Sequence, residues 1–224
     1  MNAWSIRIER QGLEAEPVVV IDGFAPDPAR LIDDASFLRF RPMGEHYPGV
    51  RAAVPMALLE PLLAALAPVL ATTFGGSYAV ADAFYSLVTT RPEALTPIQR
   101  LPHFDGVEPG RLALLHYLSA ATPGGTAFYR HRSTGFETVT AARLPAYRAA
   151  LAADLDRTGV PPPAYCDATS PLFEQVARYD GIANRAIIYR SHSLHCADLP
   201  PGSVFDADPA RGRLTVNTFL AEQV

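Results

Sequence analysis

The stretch "LPHFDG", residues 101–106, sets an imidazole and a carboxylate two positions apart, at His103 and Asp105. In an extended segment side chains two apart share a face, so both can reach one metal ion. A transition-metal site that keeps coordination positions open for other molecules is served by two imidazoles and one carboxylate. The second imidazole must come from a distant segment, and "YRSHSLHCADLP" offers His192 and His195. These two are three apart, so in a strand they face opposite ways and one of them points inward. His195 is preferred over His192 because it follows the β-prone run "NRAIIYR" after a short break. Downstream, "GRLTVNTFL" places Arg213 and Thr215 two apart on one face. A guanidinium grips a carboxylate at two points, and a nearby hydroxyl can donate to the same group.

The elements that must position these groups read as follows. "PVVVIDGFAPDPARLIDDASF" predicts a strand, a turn at Gly23 and a helix opening at Asp27-Pro28. Leu58, Leu59, Leu62, Leu63, Leu66 and Leu70 recur near a 3.6 period and predict a helix over 55–71, shortened or kinked by Pro61 and Pro68. From Ser77 onward the texture is mostly β: "SYAVADAFYSLVTT", "RLALLHYLS", "GTAFYRHR", "NRAIIYR", "SLHCADL" and "RLTVNTFL" predict strands. "YPGVRA", from Tyr47, reads as a loop in which Arg51 could close over a site, "TPGG" as a turn, and "PLFEQVARY" as a short helix. Together with "TAARLPAYRAALAADLDRT" that last helix gives an insertion over about 140–180. The expected architecture is β-rich α+β, one domain over 1–224, with helices at the N-terminal end.

Composition narrows the function classes. A net charge of -4 with no Lys/Arg run argues against nucleic acid or an anionic membrane surface as partner. The charged first residues are unlike a signal peptide, and Glu60, Pro61 and Pro68 interrupt the most apolar run. A cytoplasmic protein with Cys166 and Cys196 as reduced thiols is expected.

The ordered set His103-x-Asp105, His195, Arg213-x-Thr215 resembles the Fe(II)/2-oxoglutarate-dependent oxygenases, whose motif is His-x-Asp, a distal His, then Arg-x-Ser or Arg-x-Thr. "VVVIDGFAPDP", "LALLHYLSAATPGGTAFYRHRS" and "NRAIIYRSHSLHCADLP" are similar to that superfamily's N-terminal strand and helix entry, its paired strands and its distal-histidine strand. The nearest likeness is to a bacterial group with prolyl-hydroxylase-like motif order. The resemblance implies a double-stranded β-helix core, a cupin-like jelly roll of two facing sheets. It implies Fe(II) on His103, Asp105 and His195, and 2-oxoglutarate held by Arg213 and Thr215. Oxidative decarboxylation to succinate and CO2 would then drive hydroxylation of a small molecule or an amino-acid side chain, possessing no motif in this sequence that identifies it. Arg213 lies eighteen residues beyond His195, farther than in many members, and Arg211 is its rival for the carboxylate. Two other readings stand beside this one: a non-catalytic metal- or carboxylate-binding jelly roll, and a cupin-type Zn or Mn enzyme that ignores 2-oxoglutarate. The oligomeric state, monomer or homodimer, is left open.

Overall fold

The structure is a computed structural model that describes residues 4–119 and 124–223. Its elements are β1 (Ser5–Gln11), β2 (Glu16–Asp22), α1 (Pro28–Ser36), β3 (Arg41–Pro42), β4 (Gly49–Ala53), α2 (Met56–Phe74), β5 (Ser77–Val88), β6 (Arg111–Tyr117), β7 (Gly125–His131), α3 (Leu144–Thr158), β8 (Phe173–Asp180), β9 (Arg185–Arg190), β10 (His195–Asp198) and β11 (Leu214–Gln223). Two antiparallel sheets form the jelly roll. The large one runs β1-β2-β9-β6-β11-β5-β4-β3 and the small one β10-β7-β8.

Alternation along the strands divides the core into layers. In β2, Val18 and Val20 face the small sheet, while Val19 and Ile21 face the helices. Both faces of the large sheet are thus covered, which is why β2, β6 and β9 read as continuous apolar runs rather than as alternating ones. Between the sheets, Ala113, Leu115, Ile187, Tyr189 and Phe219 meet Phe128 and Tyr179. On the outside of the large sheet lie α1 and α2, and the outside of the small sheet packs Ala127, Tyr129 and Phe173 against Tyr147 of α3.

α2 buries Leu59, Leu62, Leu66, Leu70 and Phe74 on one stripe. It is longer than its prolines suggest. Pro61 and Pro68 both lie on the exposed side, where the carbonyls they leave unbonded can turn to water, so the helix runs through both without a break. By length and composition α2 could cross a membrane; here its apolar stripe packs on the sheet.

Two local expectations are corrected. "YPGVRA" is not a loop: Gly49–Ala53 forms β4, paired with β5. A Cβ at Gly49 would strike the Leu87 carbonyl, so glycine permits this close pairing. "PLFEQVARY" is not a helix but β8, so the insertion over about 140–180 holds helix only at Leu144–Thr158. The misleading cue was the three-residue spacing of Phe173, Val176 and Tyr179. A bulge opposite Phe128/Tyr129 leaves Val176 unpaired and flips the strand's faces, which produces that spacing in a strand. The charged N-terminal segment contains β1, an exposed edge strand paired with β2. Half of the expected "TPGG" turn, Thr122 and Pro123, lies outside the described residues, and Gly125 already belongs to β7.

Candidate metal centre and anion pocket

His103 and His195 are brought together by their backbones. The His103 N–H donates to the His195 carbonyl and the His195 N–H to the His103 carbonyl, both at 2.8 Å. This doubly bonded antiparallel pair puts the two side chains on one face, and their ring centroids are 4.4 Å apart. The extended segment around His103 joins the edge of the small sheet by a single bridge rather than a regular strand. Alternation survives nonetheless, because the Asp105 N–H donates to the Ser191 carbonyl at 2.7 Å and keeps the chain extended. Asp105 then reaches both rings, with His103 Nε2–Oδ1 at 3.7 Å and His195 Nε2–Oδ2 at 3.5 Å.

All three potential ligand atoms lie within 4.8 Å of one another. Donors about 2.0–2.2 Å from one ion and at right angles are about 3 Å apart, so a small contraction would seat them on a metal. The lone pairs are directed for it. His195 Nδ1–H donates to the Ser193 carbonyl at 2.9 Å, which leaves Nε2 as the free nitrogen facing Asp105. Burial, then the proximity of His195, His46 and Arg51, holds His103 well below the usual imidazole range, so it is neutral and able to ligate. Phe128 and Tyr189 brace the His195 ring at 5.9 and 4.9 Å between centroids.

His192 does not join this group. It is buried elsewhere, with Nε2 3.8 Å from Glu16 Oε1 on β2. The three-residue separation of the two histidines sends them to different places, as alternation requires.

Arg213 and Thr215 line the same cavity as the His-Asp-His group, but on the large sheet. The cavity encloses about 760 Å³, its open mouth included. Arg213 is 7% exposed, donates from Nη2 to the Gly125 carbonyl at 2.7 Å, and lies over the Tyr117 ring at 5.5 Å. Thr215 Oγ1 donates to Asn217 Oδ1 at 2.8 Å. Arg211 is exposed and paired with Asp206 at 2.9 Å, away from the cavity. Residues 199–213 form the long connection that separates Arg213 from His195 in sequence while β10 and β11 end at one cavity.

A family model described as "Family of unknown function (DUF6445)" matches residues 2–220. The chain belongs to this family. No curated protein matches it. Among solved structures it is similar to the epimerase SnoN in complex with Fe3+, alpha ketoglutarate and nogalamycin RO, at TM-score 0.54 and 13% identity over 95% of this chain and 80% of that one. It is also similar to a prolyl-4-hydroxylase of Pseudomonas putida, at TM-score 0.50 and 14% identity over 95% and 96% of the two chains. HygX of Streptomyces hygroscopicus with iron bound gives TM-score 0.51 and 11% identity over 94% and 84%. The jelly roll of this DUF6445 chain is the fold of those enzymes.

Three cavity groups carry little sequence signal. Tyr47 and Tyr165 line the pocket from β4's approach and the loop after α3, and Ser86 on β5 sits in register between the lining residues Arg51 and Thr215. None sits in a motif, and Tyr47 and Ser86 become visible only when β4 is recognised as a strand. Tyr85, by contrast, packs in the outer core under the helices and Tyr117 bonds Thr126 Oγ1 at 2.7 Å, both as packing residues.

Proposed function

We propose that this protein is a non-haem Fe(II)- and 2-oxoglutarate-dependent oxygenase, a hydroxylase in its simplest form. The observation that carries the reading is the convergence of His103, Asp105 and His195, with ligand atoms within 4.8 Å, in a cavity that also holds Arg213 and Thr215. Two imidazoles and a carboxylate fit Fe(II) by donor type and leave positions free for a chelating keto acid and O2. Iron with those two molecules supplies the oxidising chemistry, coupling loss of CO2 from the keto acid to oxygen insertion at a C–H bond.

The chain's own residues have binding and orienting tasks. Asp105 and the two histidines supply the ligands, and the Ser193 carbonyl fixes the His195 tautomer. Arg213 and Thr215 receive the far carboxylate of 2-oxoglutarate, with Arg213 already oriented by the Gly125 carbonyl. Tyr189 beside His195 has its hydroxyl held well above the usual phenol range by burial and the Asp105 charge, so it remains a donor at neutral pH. No general base is required. The test is aerobic incubation with Fe(II), ascorbate and 2-oxoglutarate while following succinate. Wild type should release succinate and Asp105→Ala should not; equal turnover by the two would remove the assignment.

A further inference from the structure

One cation in the cavity has no task in that reading. Arg51 projects from β4 into the pocket that contains His103, Asp105 and Arg213. Its guanidinium stacks over the Tyr47 ring at 4.0 Å and lies 5.7 Å from the Phe84 ring centroid. Among the described residues it forms no ion pair, and its Nε is shielded from solvent without a hydrogen-bond partner. Two hydroxyls share its surroundings. Tyr47 Oη and Ser86 Oγ are buried beside each other with no other partner, and Ser86 stands directly opposite Arg51 in the β4–β5 register. Buried polar atoms are rarely left without partners, and a guanidinium N–H with none, beside a hydroxyl pair that can use only one of its two protons internally, marks where a ligand's acceptors belong.

Charge decides what kind of ligand. In the loaded site the three positive charges of iron and Arg213 balance the three negative charges of Asp105 and 2-oxoglutarate, so the Asp105 charge that Arg51 feels in the empty site is taken up by the metal. The guanidinium of Arg51 is then one positive charge left over beside desolvating aromatic rings. A half-buried charge of this kind calls for a counter-ion. Ser86 is also opposite Thr215 on its other side, so the row Arg51, Ser86, Thr215 runs across adjacent strands. Strand spacing separates the ends of that row by about 10 Å, enough for a second carboxylate beside the one on Arg213. A phosphate monoester would bring more charge than the site neutralises.

We infer that the substrate oxidised by this protein is a small carboxylic acid whose carboxylate is held by Arg51, with the Tyr47 and Ser86 hydroxyls as further donors. This rests on the oxygenase reading and names the substrate class for it. Arg51 sets which molecule is oxidised, and Arg213 sets the cosubstrate.

The experiment uses the full chain loaded with Mn(II) and saturating 2-oxoglutarate without oxygen, probed by calorimetry and thermal unfolding. The probes are hexanoate and benzoate, each compared with its primary amide. The carboxylates should bind wild type and the amides should not. Arg51→Gln should weaken carboxylate binding about ten- to a hundredfold, the loss of a charge-assisted hydrogen bond, with 2-oxoglutarate affinity changed less than about twofold on the same scale. Arg51→Lys should recover part of the binding. A merely structural arginine would not separate the two ligands in this way. The inference is overturned if neither carboxylate binds wild type, if amides bind equally well, or if Arg51→Gln weakens 2-oxoglutarate as much as Arg213→Gln does. If wild type fails to bind 2-oxoglutarate at all, the oxygenase reading falls instead, and that outcome is separate from the carboxylate arms.

Discussion

Removing the Arg213 guanidinium should abolish 2-oxoglutarate binding while leaving the ligand-free protein nearly as stable as before. The argument starts from what Arg213 does in the absence of ligand. It is 7% exposed, pairs with no carboxylate among the described residues, and donates once, to the Gly125 carbonyl at 2.7 Å. Arg213→Gln therefore loses one hydrogen bond, about 1 kcal/mol, and also relieves a desolvated charge. The two nearly offset. Binding is different. The Gly125 bond and the Tyr117 ring hold the guanidinium plane before any ligand arrives, so little rotamer freedom remains to be lost. Two charge-assisted hydrogen bonds at roughly 1.5–3 kcal/mol each give about 3–6 kcal/mol, or roughly a hundred- to ten-thousandfold in Kd.

Thermal unfolding of the Mn(II)-loaded protein reads both effects. At a 2-oxoglutarate concentration about 100 times the wild-type Kd, the ligand stabilises by about 2.7 kcal/mol. For a chain of 224 residues that is roughly a 5–10 °C rise in Tm. In Arg213→Gln the rise should shrink to under about 1 °C on the same relation, with the ligand-free Tm unchanged within about 2 °C. Arg213→Lys, which keeps the charge without the planar fork, should fall between. Arg211→Gln is the control, since Arg211 is exposed and engaged with Asp206. A full ligand-induced rise in Arg213→Gln, or its loss in Arg211→Gln, would refute the assignment of this pole of the cavity.

Two further outcomes test the scaffold. Burial lowers the His116 imidazole from its ordinary 6.5 to about 4, and its Nε2–H donates to Asn184 Oδ1 at 3.0 Å. Between those two values the unfolded chain binds more protons than the folded one, so stability present above pH 6.5 is lost as pH falls toward 4. At roughly 1.4 kcal/mol per pH unit the loss is about 3 kcal/mol. His116→Gln should therefore flatten the wild-type decline in urea-unfolding free energy between pH 7 and 4, and an unchanged slope would count against a neutral buried His116. Leu66 is fully buried where α2 meets the large sheet, so Leu66→Ala should cost about 2–5 kcal/mol while 2-oxoglutarate affinity stays at the wild-type value.

The sequence makes the convergence readable where spacing has one physical meaning. His103-x-Asp105 and Arg213-x-Thr215 share a face whether the segment is a regular strand or only an extended chain, so both pairs assemble in the cavity although His103 sits on a lone bridge. The separation of His192 and His195 likewise sends one to Glu16 and the other to Asp105. What was not readable depends on pairing partners. β8 carries helix-like spacing because a bulge, set by β7, changes which face each residue presents. β4 looks like a loop because Pro48 before it and its first residue, Gly49, suggest a turn, while its pairing with β5 is a tertiary property. Arg51 drew attention only as a residue beside a glycine turn. Its lack of a carboxylate partner could not be inferred from neighbours in the chain.

The two poles of the cavity belong to different sheets, and this has a consequence for how the site is held. His195 is on β10 and His103 is bridged to it, so the imidazoles move with the small sheet; Arg213, Thr215 and Arg51 move with the large one. The separation of metal ligands from guanidinium is therefore set by the side chains that keep the sheets apart. Stacked sheets lie about 10 Å from each other, and here the spacers are chiefly aromatic: Phe128 and Tyr179 below, Tyr189 and Phe219 above. Phe128 and Tyr189 also touch the His195 ring. The same rings thus fix the inter-sheet gap and the orientation of a ligand. Under the proposed function, a diacid chelating at one sheet and gripped at the other would measure that gap, which would make the length of the cosubstrate a property of the core packing rather than of the binding residues alone.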